Sequence, residues 1–486
     1  MRILYLDIDT LRPDHLGCYG YHRNTSPNID RIAAEGVRMT NCYASDAPCL
    51  PSRASTFNQR FGIHSGVVNH GGLAADMRPR GRDRSFCESH KRPGFIQSLA
   101  KAGIFPVSVS PFAARHSAWW FCEGWREMYN TGLNGGESAE QIVPVALDWI
   151  ERNGESDNWM LHVNIWDPHT PYRAPDDFGN PFADEPIEDW YTEEMRQRQW
   201  EGFGPGCPQE PGGGYGQPST KERQPSEVAS MDDYRKFVDG YDCGIRYGDE
   251  WCGKIFDALA DKGVLDDTVI IITSDHGEGM GELNVIADHA VADQSVSHLP
   301  MIVRWPGMGG KDRVDAAMHY QTDVAATIVE LAGGKVADHW DGQSFADAFR
   351  NETESGRESL VVSQCCWSVM RSVRWGDYMY LHPYHTGLKQ MPSRMLFNVA
   401  EDPHELVNLA ETEPALVEKG EAILSAWTED MMKTSEYPED PLWTVMQEGG
   451  PYHTRDMLAA YCKRLRETGR AHHAEFLEKH PTGLVE

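Results

Sequence analysis

The sequence predicts an α/β protein with a large mixed, mostly parallel sheet flanked by helices, followed by a smaller C-terminal α+β domain. Two patterns in its 486 residues favour this fold class. Continuous apolar runs, typical of strands buried on both faces, occur at Ile3 to Leu6, 160–165, 268–273 and 299–303. Amphipathic segments, which parallel strands need as crossover helices, occur between them at 29–35, 94–102, 142–152 and 245–262.

The pattern changes near residue 365, where we place a domain boundary. Beyond it, short alternating segments at 368–373, 377–381 and 394–399 predict an antiparallel sheet with one solvated face. Helical stretches follow from Glu413 onward. We therefore expect a larger domain over residues 1–365 and a smaller domain with a helical tail over residues 366–486. The end of this tail could pack on the core or on a second copy of the chain, so a homo-oligomer stays open.

One segment of the larger domain interrupts the regular pattern. Residues 202–218 hold seven glycines and four prolines, a composition that excludes regular structure. We expect a long surface loop there. Two interpretations are open, because surface loops tolerate insertions and because such loops also serve as lids over functional sites.

Composition and charge exclude several classes of protein. The net charge of −29 disfavours nucleic acids, anionic polymers and anionic membranes as partners. No apolar run approaches a membrane span, and Arg2 leads directly into the first strand without a signal-peptide layout. Eleven scattered cysteines argue against a disulfide framework and for buried thiols. These features predict a cytoplasmic protein.

Three predicted strands end in charged residues. In open α/β sheets the ligand lies beyond the carboxyl ends of the strands, so we expect these side chains to meet at one site. Asp7 and Asp9 lie two residues apart and face the same side if the strand persists. The residues at the three strand ends are Asp7, Asp9, Asp167, His169, Asp275 and His276.

The run Cys49-Leu50-Pro51-Ser52-Arg53 follows a loop and has the features of a helix start. Backbone N–H groups and the helix dipole would favour a tetrahedral oxyanion there, and Arg53 would add a guanidinium. The alternative is that Cys49 is a small buried hydrophobe, as many cysteines are.

This run resembles the Cys-x-Pro-Ser-Arg motif of the sulfatase family, which belongs to the alkaline-phosphatase superfamily. The resemblance covers nearly the whole chain, because further runs match the family's motifs in the same order. They are Asp9 to Asp14, Gly17 to Gly20, Arg60 to Gly66, Asp167 to Tyr172, Thr273 to Glu278, Leu299 to Gly307, Leu396 to Val399 and Asp402 to Ala410. The resemblance implies an alkaline-phosphatase-like sheet and a sulfuric-ester hydrolase that acts on a small sulfated substrate, such as a sugar sulfate, an aryl sulfate or a sulfamate.

The resemblance also implies that Cys49 is oxidised to formylglycine by a modifying enzyme that binds transiently. An aldehyde hydrates to a gem-diol. One hydroxyl can attack sulfur and release the alcohol, and the other can then collapse to the aldehyde and expel sulfate. A plain cysteine cannot do this, so activity would depend on the modification.

The resemblance further implies one divalent metal ion bound by Asp9, Asp275 and His276. Many sulfatases have a second aspartate directly after the first, whereas this chain has Thr10. Asp7 could supply the missing carboxylate, or its oxygens could instead accept backbone hydrogen bonds. Oxygen ligands favour calcium or magnesium and a histidine admits manganese or zinc, but the resemblance favours calcium.

Four further residues are candidates for contact with the substrate. His169 matches a family histidine that reaches the substrate, and His289 lies where many sulfatases have a catalytic lysine, so each could protonate the leaving group. The family's Gly-Lys-x-His stretch is missing. Arg115 and His116 follow that position and could take over its cationic role, unless they are ordinary surface residues.

Two other functions stay open at this point. Phosphonate monoester and phosphodiester hydrolases share the cysteine motif and the Asp-His metal pair, and their tetrahedral anions are of similar size. A catalytically inactive binding protein is the third hypothesis, against which the intact nucleophile, metal and acid candidates argue.

Overall fold

The computed structural model describes residues 1–79, 92–213 and 215–485. The strands, in chain order, are β1 (Arg2–Ile8), β2 (Val37–Tyr43), β3 (Asp46–Ala47), β4 (Phe105–Val109), β5 (Glu127–Tyr129), β6 (Trp159–Ile165), β7 (Thr268–Thr273), β8 (Gly279–Met280), β9 (Ile286–Asp288), β10 (His298–Arg304), β11 (Arg313–Asp315), β12 (His319–Tyr320), β13 (Ser359–Gln364), β14 (Val369–Trp375), β15 (Tyr378–His385), β16 (Met391–Pro392), β17 (Met395–Asn398) and β18 (Leu484–Val485). The α-helices are α1 (Pro27–Ala33), α2 (Cys49–Asn58), α3 (Gly62–Ser65), α4 (Phe95–Lys101), α5 (Phe112–Arg115), α6 (Ala139–Asn153), α7 (Glu193–Trp200), α8 (Met231–Asp261), α9 (Gln294–Ser297), α10 (Gln321–Leu331), α11 (Ala346–Arg350), α12 (Pro414–Thr434), α13 (Pro441–Gln447), α14 (Leu458–Glu467) and α15 (Ala471–Lys479).

The large sheet has the strand order β11-β2-β10-β7-β1-β6-β4-β5, and β12 also pairs with β2. Strand β1 lies at its centre and runs parallel to both β6 and β7. Side chains of β6 and β7 are buried along their whole length, which explains why these strands are continuous apolar runs. The prediction of a large mixed, mostly parallel sheet is confirmed.

Strand β10 is the main antiparallel member of this sheet and pairs with both β7 and β2. The chain from β7 to β10 forms only the short β8–β9 pair and two single-turn helical segments. No crossover helix therefore carries it back to the other edge of the sheet, and β10 returns in the opposite direction.

The smaller sheet has the order β17-β15-β14-β13-β3, and its pairs are antiparallel except for β13 with β3. Strand β3 comes from the N-terminal part of the chain and ends two residues before Cys49. Because β13 begins at Ser359, this sheet extends across the boundary predicted at residue 365. The smaller C-terminal domain with an antiparallel sheet is confirmed, whereas the boundary itself stays a prediction.

The Gly/Pro-rich segment 202–218 forms a single 3-10 turn at Pro211–Gly213 and is otherwise irregular, apart from Gly214, which lies outside the described residues. The C-terminal tail packs on the same chain, since Phe203 and Leu388 join a core cluster with residues of α14 and α15. The end of the tail thus packs on its own chain, the first of its two predicted arrangements, and a homo-oligomer stays a prediction.

Two further predictions concern cysteines and membrane spans. The ten cysteines in the described part of the chain are all free thiols, and eight of them are buried, as expected without a disulfide framework. Cys87 lies outside the described residues. Within the described ranges, no helix combines the length and the apolar character of a membrane span.

Candidate active site

The carboxyl ends of β1, β6 and β7 lie side by side and point at the start of α2. Asp9 follows β1 and is tied to the end of β6, because its backbone N–H donates to the carbonyl of Ile165 at 2.8 Å. Asp275 and His276 follow β7, and the Ser52 hydroxyl of α2 donates to the carbonyl of Asp275 at 2.6 Å. Of the strand-end residues predicted to meet, Asp9, Asp275 and His276 do so at one edge of the sheet with His169 beside them, as expected for an open α/β fold. Asp167 is buried and is neither among the potential metal ligands nor among the described residues that line the cleft.

Four of these side chains could hold a metal ion. The ligand atoms of Asp9, Cys49, Asp275 and His276 all lie within 4.8 Å of one another. The Sγ of Cys49 is 3.1 Å from Nε2 of His276, and all four residues are at most 1% exposed. Among the described residues, neither carboxylate oxygen of Asp9 accepts a hydrogen bond, although Oδ2 lies 3.0 Å from Nη1 of Arg53. Buried carboxylate oxygens with so few donors are costly unless a cation is present, so the group fits a metal site.

Arg53 is buried among the carboxylates and is not one of the residues that line the cleft. Its Nε and Nη2 donate to the two oxygens of Asp7 at 2.8 and 3.1 Å. Its Nη1 contacts Asp275 at 2.5 Å and Asp9 at 3.0 Å. The donors of Arg53 are engaged by carboxylates in this arrangement, and its direct contact with a substrate oxyanion stays a prediction.

Asp7 is not one of the four potential ligands, and both of its oxygens pair with Arg53. Nε2 of His162 also lies 3.4 Å from one of them. Although burial acts in the opposite direction, Arg53 and His162 hold the pKa of Asp7 below its usual value. The hypothesis that Asp7 replaces the missing aspartate as a metal ligand gains no support from this arrangement.

The pKa values of Asp9 and Cys49 are shifted so that the uncharged form of each side chain is favoured. Burial, followed by repulsion from Asp275, raises the pKa of Asp9 well above its usual value. Burial and the charges of Asp9 and Asp275 likewise raise the pKa of the Cys49 thiol. Raised pKa values of neighbouring acidic groups indicate that the cluster has too little positive charge to balance their ionised forms.

Thr10, the departure from the family pattern, has an unusual backbone. Its φ of 58° lies in the left-handed region, where a β-branched residue is strained. Tyr241 holds it there, because the phenol donates to the carbonyl of Thr10 at 2.7 Å and accepts from Arg12 N–H at 3.0 Å. The side-chain hydroxyl of Thr10 donates to the carbonyl of Asp9 at 2.7 Å and is thereby engaged away from the potential ligands.

His169 and His289 both lie next to the potential metal ligands. Nε2 of His169 is 4.0 Å from the Asp9 carboxylate. The ring centre of His289 is 4.4 Å from that of His276 and 5.6 Å from that of His169. Nδ1 of His289 is buried without a hydrogen-bond partner. Both residues line the same cleft as Cys49, so the structure brings the predicted proton donors together with the nucleophile position.

Arg115 and His116, the predicted substrate-binding pair, differ in position. Arg115 lines the cleft, and its guanidinium lies 5.0 Å from the ring centre of Trp166. His116 is not among the described residues that line the cleft. Its Nε2 is buried without a hydrogen-bond partner, and its ring centre is 5.0 Å from that of His70.

The cleft above Cys49 has a volume of about 330 Å³. The Gly/Pro-rich loop and the residues after it form one wall, which places the loop at the site, as the lid interpretation requires. Asp288 also lines the cleft, and one of its carboxylate oxygens is buried and unpartnered. The loop residues in the wall are Pro211, Gly212, Gln217, Pro218, Ser219, Thr220, Gln224, Pro225 and Ser226.

This wall is fastened to the C-terminal helices through Glu210, whose exposed fraction is 1%. Its carboxylate accepts hydrogen bonds from Tyr461 at 2.6 Å, from Nε of Arg464 at 2.8 Å and from Nη2 of Arg470 at 2.6 Å. A buried carboxylate with this many charged and polar donors holds its loop firmly. The C-terminal tail thus contributes to the shape of the cleft.

Sequence reasoning missed several residues of the cleft. Asp288 stands beside the predicted His289, so the local motif was a usable signal. His70, Trp367 and His453 line the cleft as well but lie in separate parts of the chain. None of these three had a local pattern that could have marked it.

Comparison with protein families gives two matches. The Sulfatase family model matches residues 2–334. A model described as N-sulphoglucosamine sulphohydrolase, C-terminal, matches residues 281–419. Among characterised relatives, an N-acetylglucosamine-6-O-sulfatase of Bacteroides thetaiotaomicron is 23% identical, with 84% of this chain and 82% of that protein covered.

Solved structures of the same fold include two of different specificity. One of them was solved in complex with its substrate D-glucosamine-2-N,6-O-disulfate. Its TM-score is 0.69 at 18% identity, and the alignment covers 90% of this chain and 99% of that protein. The other, a phosphonate monoester hydrolase of Agrobacterium radiobacter, has a TM-score of 0.67 at 18% identity and covers 88% of this chain and 96% of its own. At this identity the likeness shows the fold alone.

Proposed function

The chain belongs to the sulfatase family and is a sulfuric-ester hydrolase, and we propose that it works through a formylglycine formed from Cys49 and one divalent cation. A formylglycine-generating enzyme would act on Cys49 as a transient partner. The hydrated aldehyde supplies a hydroxyl nucleophile and a second hydroxyl whose collapse expels sulfate.

The observation that carries the metal proposal is a charge balance. Asp7, Asp9 and Asp275 surround the single guanidinium of Arg53, so three carboxylates against one cation leave two negative charges in excess. A divalent ion held by Asp9, Asp275 and His276 would neutralise both. Carboxylate oxygens suit calcium or magnesium, and the family resemblance favours calcium. When bound, the ion would polarise the sulfuryl oxygens and lower the pKa of the attacking hydroxyl.

The protein's own residues have separate parts in this proposal. Arg53 keeps the three carboxylates together at close range, and α2 directs its N-terminal N–H groups toward residue 49. Arg115 is the cation available to a sulfate oxygen in the cleft. His169 and His289 stand where either ring can give a proton to the departing oxygen.

The proposed substrate is a small sulfated sugar. Among the described residues that line the cleft, Arg115 is the only Arg or Lys, which disfavours a polysulfated chain. Most side chains of the wall are neutral hydrogen-bonding groups suited to hydroxyls, whereas an aryl sulfate needs an apolar slot. The similar N-acetylglucosamine-6-O-sulfatase is named for a sugar sulfate.

A comparison of leaving-group-matched esters tests this function. The purified protein, with its formylglycine content measured, is assayed on a sulfate monoester, a phosphonate monoester, a phosphodiester and a phosphate monoester of one alcohol. We expect the sulfate monoester to have the highest kcat/KM and the doubly charged phosphate monoester the lowest. A phosphonate monoester or phosphodiester that is better than the sulfate by more than about tenfold, roughly 1.4 kcal/mol, would contradict the proposal.

A further inference from the structure

We propose that His70 and His453 form a subsite that binds the leaving group of the substrate and sets the enzyme's specificity for it. The inference rests on the proposed function, because it takes the cleft above Cys49 as the place where the sulfate ester binds. It adds two residues, one of them from the C-terminal tail, that neither motif nor local pattern marks.

The two imidazoles act as one hydrogen-bonded unit. Nδ1 of His70 lies 2.8 Å from Nε2 of His453, and the rings meet edge to face at 85° with centres 5.0 Å apart. Both residues line the cleft. The other nitrogen of His70, Nε2, is buried and has no hydrogen-bond partner among the residues that the structure describes. A buried polar atom without a partner beside a cleft is a candidate for ligand contact.

His453 is fixed in place by its own surroundings. Its ring stacks on Trp367 with centres 4.4 Å apart and an angle of 20°. Its backbone N–H donates to the carbonyl of Cys366 at 3.0 Å, and its carbonyl accepts from the Tyr215 hydroxyl at 3.0 Å. The backbone of His453 is thus held by two hydrogen bonds and its ring by stacking. Because the ring is already fixed, it can orient His70 with little loss of entropy when the ligand binds.

The chemistry of the pair suits an oxygen atom of the leaving group. Burial lowers the pKa of His70 well below its usual value and that of His453 to about 4, so both rings are neutral near pH 7. If His453 donates to Nδ1 of His70, then Nε2 of His70 carries the proton and donates. A neutral donor next to neutral amide and hydroxyl side chains recognises a sugar hydroxyl.

The pair is more exposed than the proposed sulfate-binding groups. Cys49, His169 and His289 are buried, with exposed fractions of 1%, 6% and 5%. His70, His453 and Trp367 are half-buried and line the same cleft. A leaving group departs on the side opposite the nucleophile, so in the proposed pose it extends from Cys49 toward these half-buried side chains.

The test compares two sulfate esters that differ in the leaving group. Variants His70→Ala and His453→Phe are assayed on glucose 6-sulfate and on 4-nitrophenyl sulfate, at measured formylglycine content. His453→Phe keeps a ring on Trp367 but removes the nitrogens. We expect each variant to lower kcat/KM for the sugar sulfate by about tenfold to a hundredfold, mainly through KM, and to change 4-nitrophenyl sulfate by less than about threefold.

His382→Ala is the matched control, because His382 is also a partly buried histidine with a hydrogen bond, to Tyr380 at 2.9 Å, but lies on β15 away from the cleft. The double variant of His70 and His453 should lose no more than either single variant, since the pair acts as a unit. Equal losses on both esters, or losses that multiply, would overturn the subsite.

A binding measurement keeps the two proposals apart. Glucose 6-sulfate is titrated into the inactive Cys49→Ser variant and into a variant that carries both Cys49→Ser and His70→Ala. We expect the second protein to bind the sugar sulfate more weakly. A wild-type protein with confirmed formylglycine but no turnover would refute the proposed function, whereas an unchanged affinity in this titration would refute the subsite alone.

Discussion

Arg53 and Asp7 form a bidentate ion pair at the base of the site, with Nε–Oδ2 and Nη2–Oδ1 distances of 2.8 and 3.1 Å. Both side chains are nearly inaccessible to solvent. The remaining nitrogen of Arg53 reaches Asp275 and Asp9, so one guanidinium joins the carboxylates of two neighbouring strands. This arrangement sets the charge and the shape of the proposed metal site.

Removal of the cation should abolish turnover and destabilise the fold. The Asp9 and Asp275 carboxylates are close and buried, so their repulsion increases when a neutralising ion leaves. Treatment with EGTA or EDTA is expected to lower Tm, and elemental analysis before treatment should find about one ion per chain. Asp275→Asn should lose most activity, whereas the exposed Asp347→Asn should not. An active, metal-free protein would contradict this.

Loss of the proton donor should depend on the leaving group. A poor leaving alcohol carries more negative charge in the transition state, so its departure needs a proton more. We expect His289→Ala to reduce kcat on alkyl or sugar sulfates by about a hundredfold more than on 4-nitrophenyl sulfate. His169→Ala is the parallel comparison. The same loss factor on every leaving group, in both variants, would instead assign these histidines to sulfate binding.

Lys389 should make the stability of the protein depend on pH. Burial lowers its pKa from 10.5 to about 8. Between these two pH values, Lys389 is protonated in the unfolded chain and deprotonated in the folded chain. The unfolding free energy therefore rises with pH over this range. Below pH 8 the folded chain holds a buried charged lysine, and the full destabilisation by this group is present. Lys389→Met should raise the unfolding free energy at pH 7 by about 1 to 3 kcal/mol.

Urea unfolding of wild type and variant at pH 7 and pH 10 measures this effect as a difference, which removes the contribution of other titrating groups. The gain should shrink at pH 10, and the exposed Lys479→Met should show no such trend. A gain that is constant with pH would mean that packing, and not charge, explains it.

Glu210 should couple the stability of the protein to the cleft wall. Glu210→Gln leaves the buried Arg470 and the half-buried Arg464 without their carboxylate, which should cost about 3 to 5 kcal/mol of unfolding free energy. The wall should loosen, so KM should rise more than kcat falls. Glu193→Gln, which removes a solvent-exposed ion pair with Arg196, should have a much smaller effect on the unfolding free energy. Equal effects of the two variants would refute the anchoring role.

The sequence predicted the parts of the site that depend on local pattern. Asp9, Asp275 and His276 follow strands, and the ends of parallel strands meet at one edge of the sheet, so their proximity was predictable. Cys49 is the first residue of a helix, as the proline after it and the motif indicated. The partners of Arg53 were not predictable, since side-chain direction in a buried cluster depends on the whole charge balance. His70 and His453 are 383 residues apart, and no local periodicity records that contact.

The most direct test of the account is the relation between turnover and formylglycine at position 49. Protein is produced with and without the modifying enzyme, the peptide that contains residue 49 is analysed by mass spectrometry, and sulfate release is measured for each preparation. We expect activity in proportion to the formylglycine fraction and none in Cys49→Ala. Full activity from protein whose Cys49 is an unmodified thiol would contradict the central claim.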